Sequence, residues 1–124
     1  MRSISRLVAP VVAALALAVP ATASAAGFTA HFYAPNHTPI ANQYWHVTTT
    51  ATHNGTKLSG SVRYQFLFGG TVVSSRPGGS FKDGVFHDKL RFPNKSVGIS
   101  LTLRVVVKTK YGTDHINWAV KVRA

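Results

Sequence analysis

The side chains best suited to chemistry in this 124-residue chain are six histidines and three aspartates. Imidazole nitrogens act as general bases and ligate copper or zinc, and carboxylates act as acids, bases or ligands. Cysteine is absent, which excludes thiol catalysis and disulfide bonds. The histidines are His31, His37, His46, His53, His87 and His115, and the aspartates are Asp83, Asp88 and Asp114.

The acidic residues do not form a recognisable catalytic pair. Hydrolysis by paired carboxylates requires two acidic groups that converge on one bond. Asp83 is interpreted instead as a turn residue beside Gly84, and Asp114 as the start of a strand after the Tyr111-Gly112 turn. The pairs His87-Asp88 and Asp114-His115 are adjacent in sequence. Because neighbouring residues on a strand point to opposite faces, neither pair can act as an acid-base couple. No serine stands in a strand-turn-helix nucleophile setting. We therefore predict no catalytic residues and no enzymatic activity.

A metal site is the second chemical alternative. His46 and His53 are separated by an odd number of residues on one predicted strand and therefore face opposite ways. An N-terminal histidine brace would require cleavage just before His31, with the bulky Phe28 where a signal peptidase needs a small residue. We expect no metal-binding residues and no cofactor. An exported carrier of copper, zinc or another small ligand remains the alternative function.

The N-terminus has the three parts of a secretory signal. Arg2 and Arg6 precede an apolar run of about 13 residues, and Ala23-Ser24-Ala25 supplies small residues at the two positions that a signal peptidase recognises. The run is shorter than the roughly 20 residues of a membrane-spanning helix. We predict a signal peptide over residues 1–25, a secreted mature domain over residues 26–124, and no transmembrane segment in that domain.

The charge balance is strongly basic. Fourteen Lys and Arg residues stand against three acids, a formal charge of +11. Without Arg2 and Arg6, 12 basic residues remain against the same three acids, a charge of +9. Such a surface favours anionic partners and disfavours cationic ones. The alternative is that net charge only keeps a small secreted domain soluble.

Apolar and polar residues alternate with a period of two in seven short segments, and none has helical periodicity. The segments are 28–34, 44–53, 62–68, 71–74, 84–92, 99–110 and 113–123. Turn residues separate them, and Pro77-Gly78-Gly79 is interpreted as a break. The pattern predicts an all-β, seven-stranded antiparallel Greek-key sandwich of immunoglobulin-like form.

The last two segments predict a hairpin with a two-residue turn at Tyr111-Gly112. This register places Val107 opposite Ile116 and Val105 opposite Trp118, so the two apolar faces coincide. It also places Arg104 opposite Ala119 and Lys108 opposite His115 on the solvent side. Trp118, and likewise Trp45 on its own strand, are expected in the core.

A second hairpin is predicted at Gly69-Gly70, with Phe66 opposite Val73. One residue contradicts its pattern, because Asp88 lies on the apolar side of segment 84–92. That position requires either a buried partner or a strand at the edge of a sheet.

Four runs carry a resemblance to known domains: Trp45-His46-Val47-Thr48, Val62-Arg63-Tyr64-Gln65-Phe66, Leu103-Arg104-Val105-Val106-Val107 and Trp118-Ala119-Val120-Lys121-Val122. Through them the mature chain resembles bacterial secreted immunoglobulin-like and fibronectin-type-III-like modules over nearly its whole length. The resemblance implies two packed antiparallel sheets. In size and implied fold the chain is also similar to secreted carriers of the neocarzinostatin type, which implies a ligand cleft between loops. Those carriers have disulfides, which this chain lacks.

The predicted register places six cations on the solvent side of one sheet: Arg63, Arg104, Lys108, Lys110, Lys121 and Arg123. Outward Leu67, Val72 and Val106 are expected to give this side an apolar centre, a mixture typical of a contact surface. We therefore predict a secreted, noncatalytic interaction module that binds an anionic envelope polymer or lipid surface and has no specific nucleic-acid partner. The alternative is a solvated face whose lysines prevent edge-to-edge pairing.

Overall fold

The computed structural model describes residues 20–23 and 27–124. These residues form nine strands, one 3-10 turn at Asn94–Ser96 and no α-helix. The strands are β1 (Ala21–Ala23), β2 (Thr29–Tyr33), β3 (Trp45–His53), β4 (Thr56–Lys57), β5 (Gly60–Phe68), β6 (Thr71–Phe81), β7 (Val85–Leu90), β8 (Ser100–Thr109) and β9 (Gly112–Lys121). Most of the predicted leader, including its cleavage point after Ala25, lies outside the described residues, although β1 falls within it.

The strands form two antiparallel sheets, and the all-β prediction is confirmed. The first sheet has the order β1-β2-β3, and β3 pairs in addition with β7 along residues 45–50 and with β4 at Thr52 and His53. The second sheet has the order β6-β5-β8-β9. All seven predicted strands are present. The short β1 and β4 were not predicted from the sequence.

The core lies between the sheets and contains both tryptophans, as predicted. Trp45 and Trp118 are 4% and 5% exposed, and each ring packs edge-on against a phenylalanine, Phe92 and Phe32 respectively. A buried indole N–H needs an acceptor. Asn36 provides the acceptor for both tryptophans. Trp45 Nε1 donates to the side-chain oxygen of Asn36 at 3.0 Å, and Trp118 Nε1 donates to the backbone oxygen of Asn36 at 3.1 Å.

The register predicted for the β8–β9 hairpin is wrong by two residues. Val105 lies opposite Ile116 and Leu103 opposite Trp118, because the turn is formed by Lys110 and Tyr111 rather than by Tyr111 and Gly112. The Thr109 hydroxyl accepts a hydrogen bond from the Tyr111 backbone N–H at 3.1 Å, which favours a turn one residue earlier. A shift of two residues leaves every side chain on its predicted face but changes its cross-strand partner.

The predicted Gly69-Gly70 turn is confirmed, but one of its pairs is not. Both glycines have positive φ, at 59° and 86°, the conformation that a two-residue hairpin turn with the twist of its strands requires. Leu67 lies opposite Val72, as the turn dictates, but a bulge follows on β6. The extra residue of that bulge is Val73, so Phe66 lies opposite Ser74 and not opposite Val73.

The break predicted at Pro77-Gly78-Gly79 is also wrong, because β6 continues through it to Phe81. Proline is tolerated because β6 is an edge strand, on which every second backbone N–H points away from the sheet and toward solvent. Gly78 is the unpaired residue of a second bulge, between the pairs of Val62 and Arg63. A Cβ at Gly78 would lie 2.5 Å from the Val62 carbonyl oxygen, so only glycine fits there.

Candidate functional site

Three of the six predicted cations form a cluster on the outer side of the four-stranded sheet. Arg63 lies opposite Val106 on the neighbouring strand, and Arg104 and Lys108 lie two positions to either side of Val106 on β8. Cross-strand diagonal neighbours are about 7–8 Å apart, within reach of long side chains. We call Arg63, Arg104, Lys108 and the valine between them the basic face.

The other three predicted cations do not join this cluster. Lys110 lies in the hairpin turn, with its ammonium 5.4 Å from the centre of the Tyr111 ring. Lys121 lies opposite Ser100, eight residues from Lys108 along β8 and thus roughly 27 Å away. Arg123 follows β9, and its backbone is hydrogen-bonded to Pro39 and Ala41.

The apolar centre predicted for this face is not exposed. Val106 and Leu67 point away from the main core, yet they are only 7% and 5% exposed, and only Val72 of the three is exposed, at 42%. Apolar stems of long charged side chains cover neighbouring residues on a sheet in this way. The expectation that Val106 and Leu67 present apolar contact surface is therefore wrong.

The basic face contains no carboxylate. Asp114 lies opposite the fully buried Val107 and therefore on the inward-facing side of β9. Asp83 lies in the loop between β6 and β7, and Asp88 lies on β7 in the other sheet. Arg104 is half-buried, and its Nε is buried without a hydrogen-bond partner among the described residues. A nearby anion stabilises a partly buried cationic group more strongly than it stabilises a fully solvated one.

Asp88 has the buried partner that its sequence position required. Tyr64 Oη donates a hydrogen bond to Asp88 Oδ2 at 2.9 Å, and Asp88 Oδ1 accepts another from the Lys89 backbone N–H at 2.8 Å. Burial, followed by the hydrogen bond to Asp88 and the charge of Asp88, raises the pKa of Tyr64 far above its usual range. The positive charge of Arg76 partly opposes that increase.

The histidines are dispersed over both sheets. His37 stacks on Trp118 with ring centres 4.2 Å apart, and His53 stacks on Tyr111 at 4.1 Å. His31 and His87 each contact a threonine hydroxyl on the outer side of the five-stranded sheet. Within the described residues, which include all six histidines, no group of three or more His, Asp or Glu side chains is close enough to hold a metal ion.

An apolar cleft with a volume of about 600 Å³, not predicted from the sequence, lies at one end of the sandwich. It lies between β6 and the segment that joins β7 to β8. Phe92 lies in its wall and packs edge-on against both Trp45, at 5.9 Å, and Phe66, at 5.6 Å. The apolar lining residues are Phe66, Phe68, Val73, Leu90, Phe92, Pro93, Ile99 and Leu101.

Three cations also line the cleft, and no acid does: Arg76, Arg91 and Lys95. Arg76 lies opposite Tyr64, which is fully buried, so Arg76 has the inward phase of β6. Phe68 and Val73 are each 57% exposed. A mainly apolar concavity of a few hundred cubic ångströms with a few charged groups has the general composition of a small-molecule site.

Comparison with protein-family models found no match, and a search of curated proteins found no similar sequence. Within residues 20–23 and 27–124, no helix has the length and apolar character needed to cross a membrane.

Proposed function

We propose that this chain is a secreted, noncatalytic binding module with immunoglobulin-like Greek-key topology, whose basic face binds an anionic polymer of the cell envelope. The observation that carries the proposal is the cluster of Arg63, Arg104 and Lys108 on a sheet surface without carboxylates. Cations without nearby acids keep their full attraction for an anionic partner.

The strand order supports the proposed topology. In immunoglobulin constant-type domains, strands C, F and G form one sheet, and A, B, E and D form the other. With β2 counted as A, the neighbours β5, β8 and β9 correspond to C, F and G, and β2, β3 and β7 correspond to A, B and E. In the same scheme β6 occupies the position next to C that variable-type domains add.

A polymer is favoured over a lipid surface as the partner. Proteins that lie on membranes usually insert apolar side chains among the lipids in addition to their charge attraction. Val106 on the basic face and Leu67 beside it are buried and cannot insert. The three cations lie on two neighbouring strands, so a chain of repeated negative charges that crosses these strands can contact more than one of them.

The proposal is tested by the affinity for long-chain polyphosphate at 0.05 M and 0.5 M salt. The Arg63→Gln/Arg104→Gln/Lys108→Gln variant is compared with the charge-matched variant Lys57→Gln/Lys82→Gln/Lys89→Gln, which alters exposed lysines elsewhere. We expect the basic-face variant to bind about tenfold more weakly at low salt, and the matched variant to lose much less. Wild-type binding should weaken steeply at high salt because screening shortens the reach of surface charges.

Two results would oppose this function. Equal losses in the two variants would mean that net charge alone governs binding. Binding of the wild-type protein to vesicles of anionic phospholipid, with no binding to polyphosphate, would instead indicate a lipid surface. Export is tested separately by the intact mass of the secreted product, which should begin near Ala26.

A further inference from the structure

We propose that the cleft binds a small amphipathic carboxylate, with its apolar body against Phe66 and Phe92 and its carboxylate at Arg76 and Lys95. This site is separate from the basic face and does not depend on polymer binding. None of the residues of the basic face lines the cleft.

The opposite sheet does not cover the inner side of β6 along the cleft. In a sandwich, residues with the inward phase are normally apolar because the opposite sheet covers them. On β6, two residues with that phase are Ser74, opposite Phe66, and Arg76, opposite the buried Tyr64. Both are exposed, and the first buried residue of the strand is Phe81 at its end. The inner side of β6 is therefore left open, and the cleft occupies that space.

The wall of the cleft is preformed. Phe92 is 4% exposed and is held between Trp45 and Phe66 by two edge-on ring contacts. Such contacts fix ring positions beyond the effect of burial alone. Leu90, 1% exposed, lies in the same wall. An apolar ligand would meet a surface that is already ordered, which lowers the entropic cost of binding.

The charges determine which end of a ligand is recognised. Arg76 lies on β6, whereas Arg91 and Lys95 both lie in the connection between β7 and β8, and no acidic side chain lines the cleft. The guanidinium of Arg91 lies over the ring of Tyr44, 5.3 Å from its centre, and Tyr44 is not a lining residue, so we assign the ligand's carboxylate to Arg76 and Lys95. Guanidinium groups bind carboxylates through paired hydrogen bonds. A neutral ligand would gain nothing from these positive charges, and a cationic ligand would be repelled by them.

The test is calorimetric titration of the full mature protein with three ten-carbon probes: decanoate, decan-1-ol and decylammonium. We expect decanoate to bind with one-to-one stoichiometry, about tenfold or more tightly than the alcohol, and decylammonium not to bind. The Arg76→Gln/Arg91→Gln/Lys95→Gln variant should lose the preference for decanoate over decanol. The Arg63→Gln/Arg104→Gln/Lys108→Gln variant has the same change in net charge and should keep it.

A second variant tests the location without altering charge. Ser74 is exposed and lines the cleft, so Ser74→Trp places a ring in that space without removing a core side chain. It should abolish decanoate binding while its melting temperature stays near that of wild type. Equal affinities for decanoate and decanol, or unchanged decanoate binding in the Ser74→Trp variant, would overturn the proposal. Either result would leave polyphosphate binding by the basic face intact.

Discussion

The hydroxyl of Tyr64 in one sheet donates a 2.9 Å hydrogen bond to the carboxylate of Asp88 in the other. Tyr64 is fully buried, so this bond joins the sheets inside a domain that has no disulfide to do so. Hydrogen bonds to charged groups contribute more than neutral ones, about 1.5–3 kcal/mol. The pair also explains why an aspartate occupies an otherwise apolar strand face.

Breaking this pair should destabilise the domain. We expect Tyr64→Phe to lower the free energy of unfolding by about 1.5–3 kcal/mol, because Asp88 would lose a hydrogen-bond donor in a half-buried position. Asp88→Asn should cost less, since its amide oxygen can still accept the tyrosine proton. Denaturant unfolding of both variants measures the difference. Equal stability of Tyr64→Phe and wild type would show that the bond contributes nothing.

The same pair predicts a loss of stability at alkaline pH. An unfolded tyrosine ionises near pH 10, whereas burial and Asp88 raise the pKa of Tyr64 in the folded protein. The folded state therefore retains a proton that the unfolded state releases. The resulting stabilisation is complete below about pH 10 and is lost as pH rises above it, by at most about 1.4 kcal/mol per pH unit.

Unfolding of wild type and Tyr64→Phe should be compared at several values between pH 9 and 12. The wild-type free energy should fall more steeply with pH than that of the variant, because only the wild type carries this buried hydroxyl. Parallel curves would assign the alkaline loss to lysines and to the other tyrosines.

The register of the β8–β9 hairpin can be tested by cross-linking, since the chain has no cysteine of its own. Thr102 lies opposite Ala119, whereas a turn at Tyr111-Gly112 would place it opposite Lys121. Directly opposite residues are about 4.5–5.5 Å apart at Cα, within disulfide range, and diagonal ones are not. Thr102→Cys/Ala119→Cys should oxidise readily, and Thr102→Cys/Lys121→Cys should stay reduced. The reverse result would restore the register expected from the sequence.

Trp118 should be a major contributor to stability. It is 5% exposed, packs on Phe32, stacks on His37 and donates its N–H to Asn36. We expect Trp118→Ala to cost about 3–5 kcal/mol, a large part of the stability of a small domain. Tyr44→Ala is the control because Tyr44 is 54% exposed, and it should cost below about 1 kcal/mol. Similar melting temperatures for the two variants would contradict this packing.

The faces of the strands were predictable from the sequence, but most of their cross-strand partners were not. Alternation fixes on which side Val105, Trp118 and Arg104 lie, and a register shift of two leaves that unchanged. The partners depend on the turn, which the Thr109 hydroxyl helps to position. The two bulges of β6, at Val73 and Gly78, are likewise properties of a strand pair and not of one strand's pattern.

The two candidate sites also differ in how far the sequence predicted them. Arg63, Arg104 and Lys108 were identifiable because they alternate with apolar residues on neighbouring strands. The cleft was not, because it forms where the opposite sheet leaves the inner side of β6 uncovered at Ser74 and Arg76, which the pattern of a single strand does not show. The one available signal was Arg76, a cation two residues beyond Ser74, where this strand was predicted to end, and directly before Pro77.

The most direct test of the proposed function is a map of where a polyanion contacts the protein. Backbone amide chemical shifts of the ¹⁵N-labelled mature domain should be recorded during titration with polyphosphate. The largest changes should occur at Arg63, Arg104, Val106 and Lys108, and they should reverse when salt is added. Changes concentrated at Lys121 and Arg123, or spread evenly over all exposed lysines and arginines, would contradict binding by the basic face.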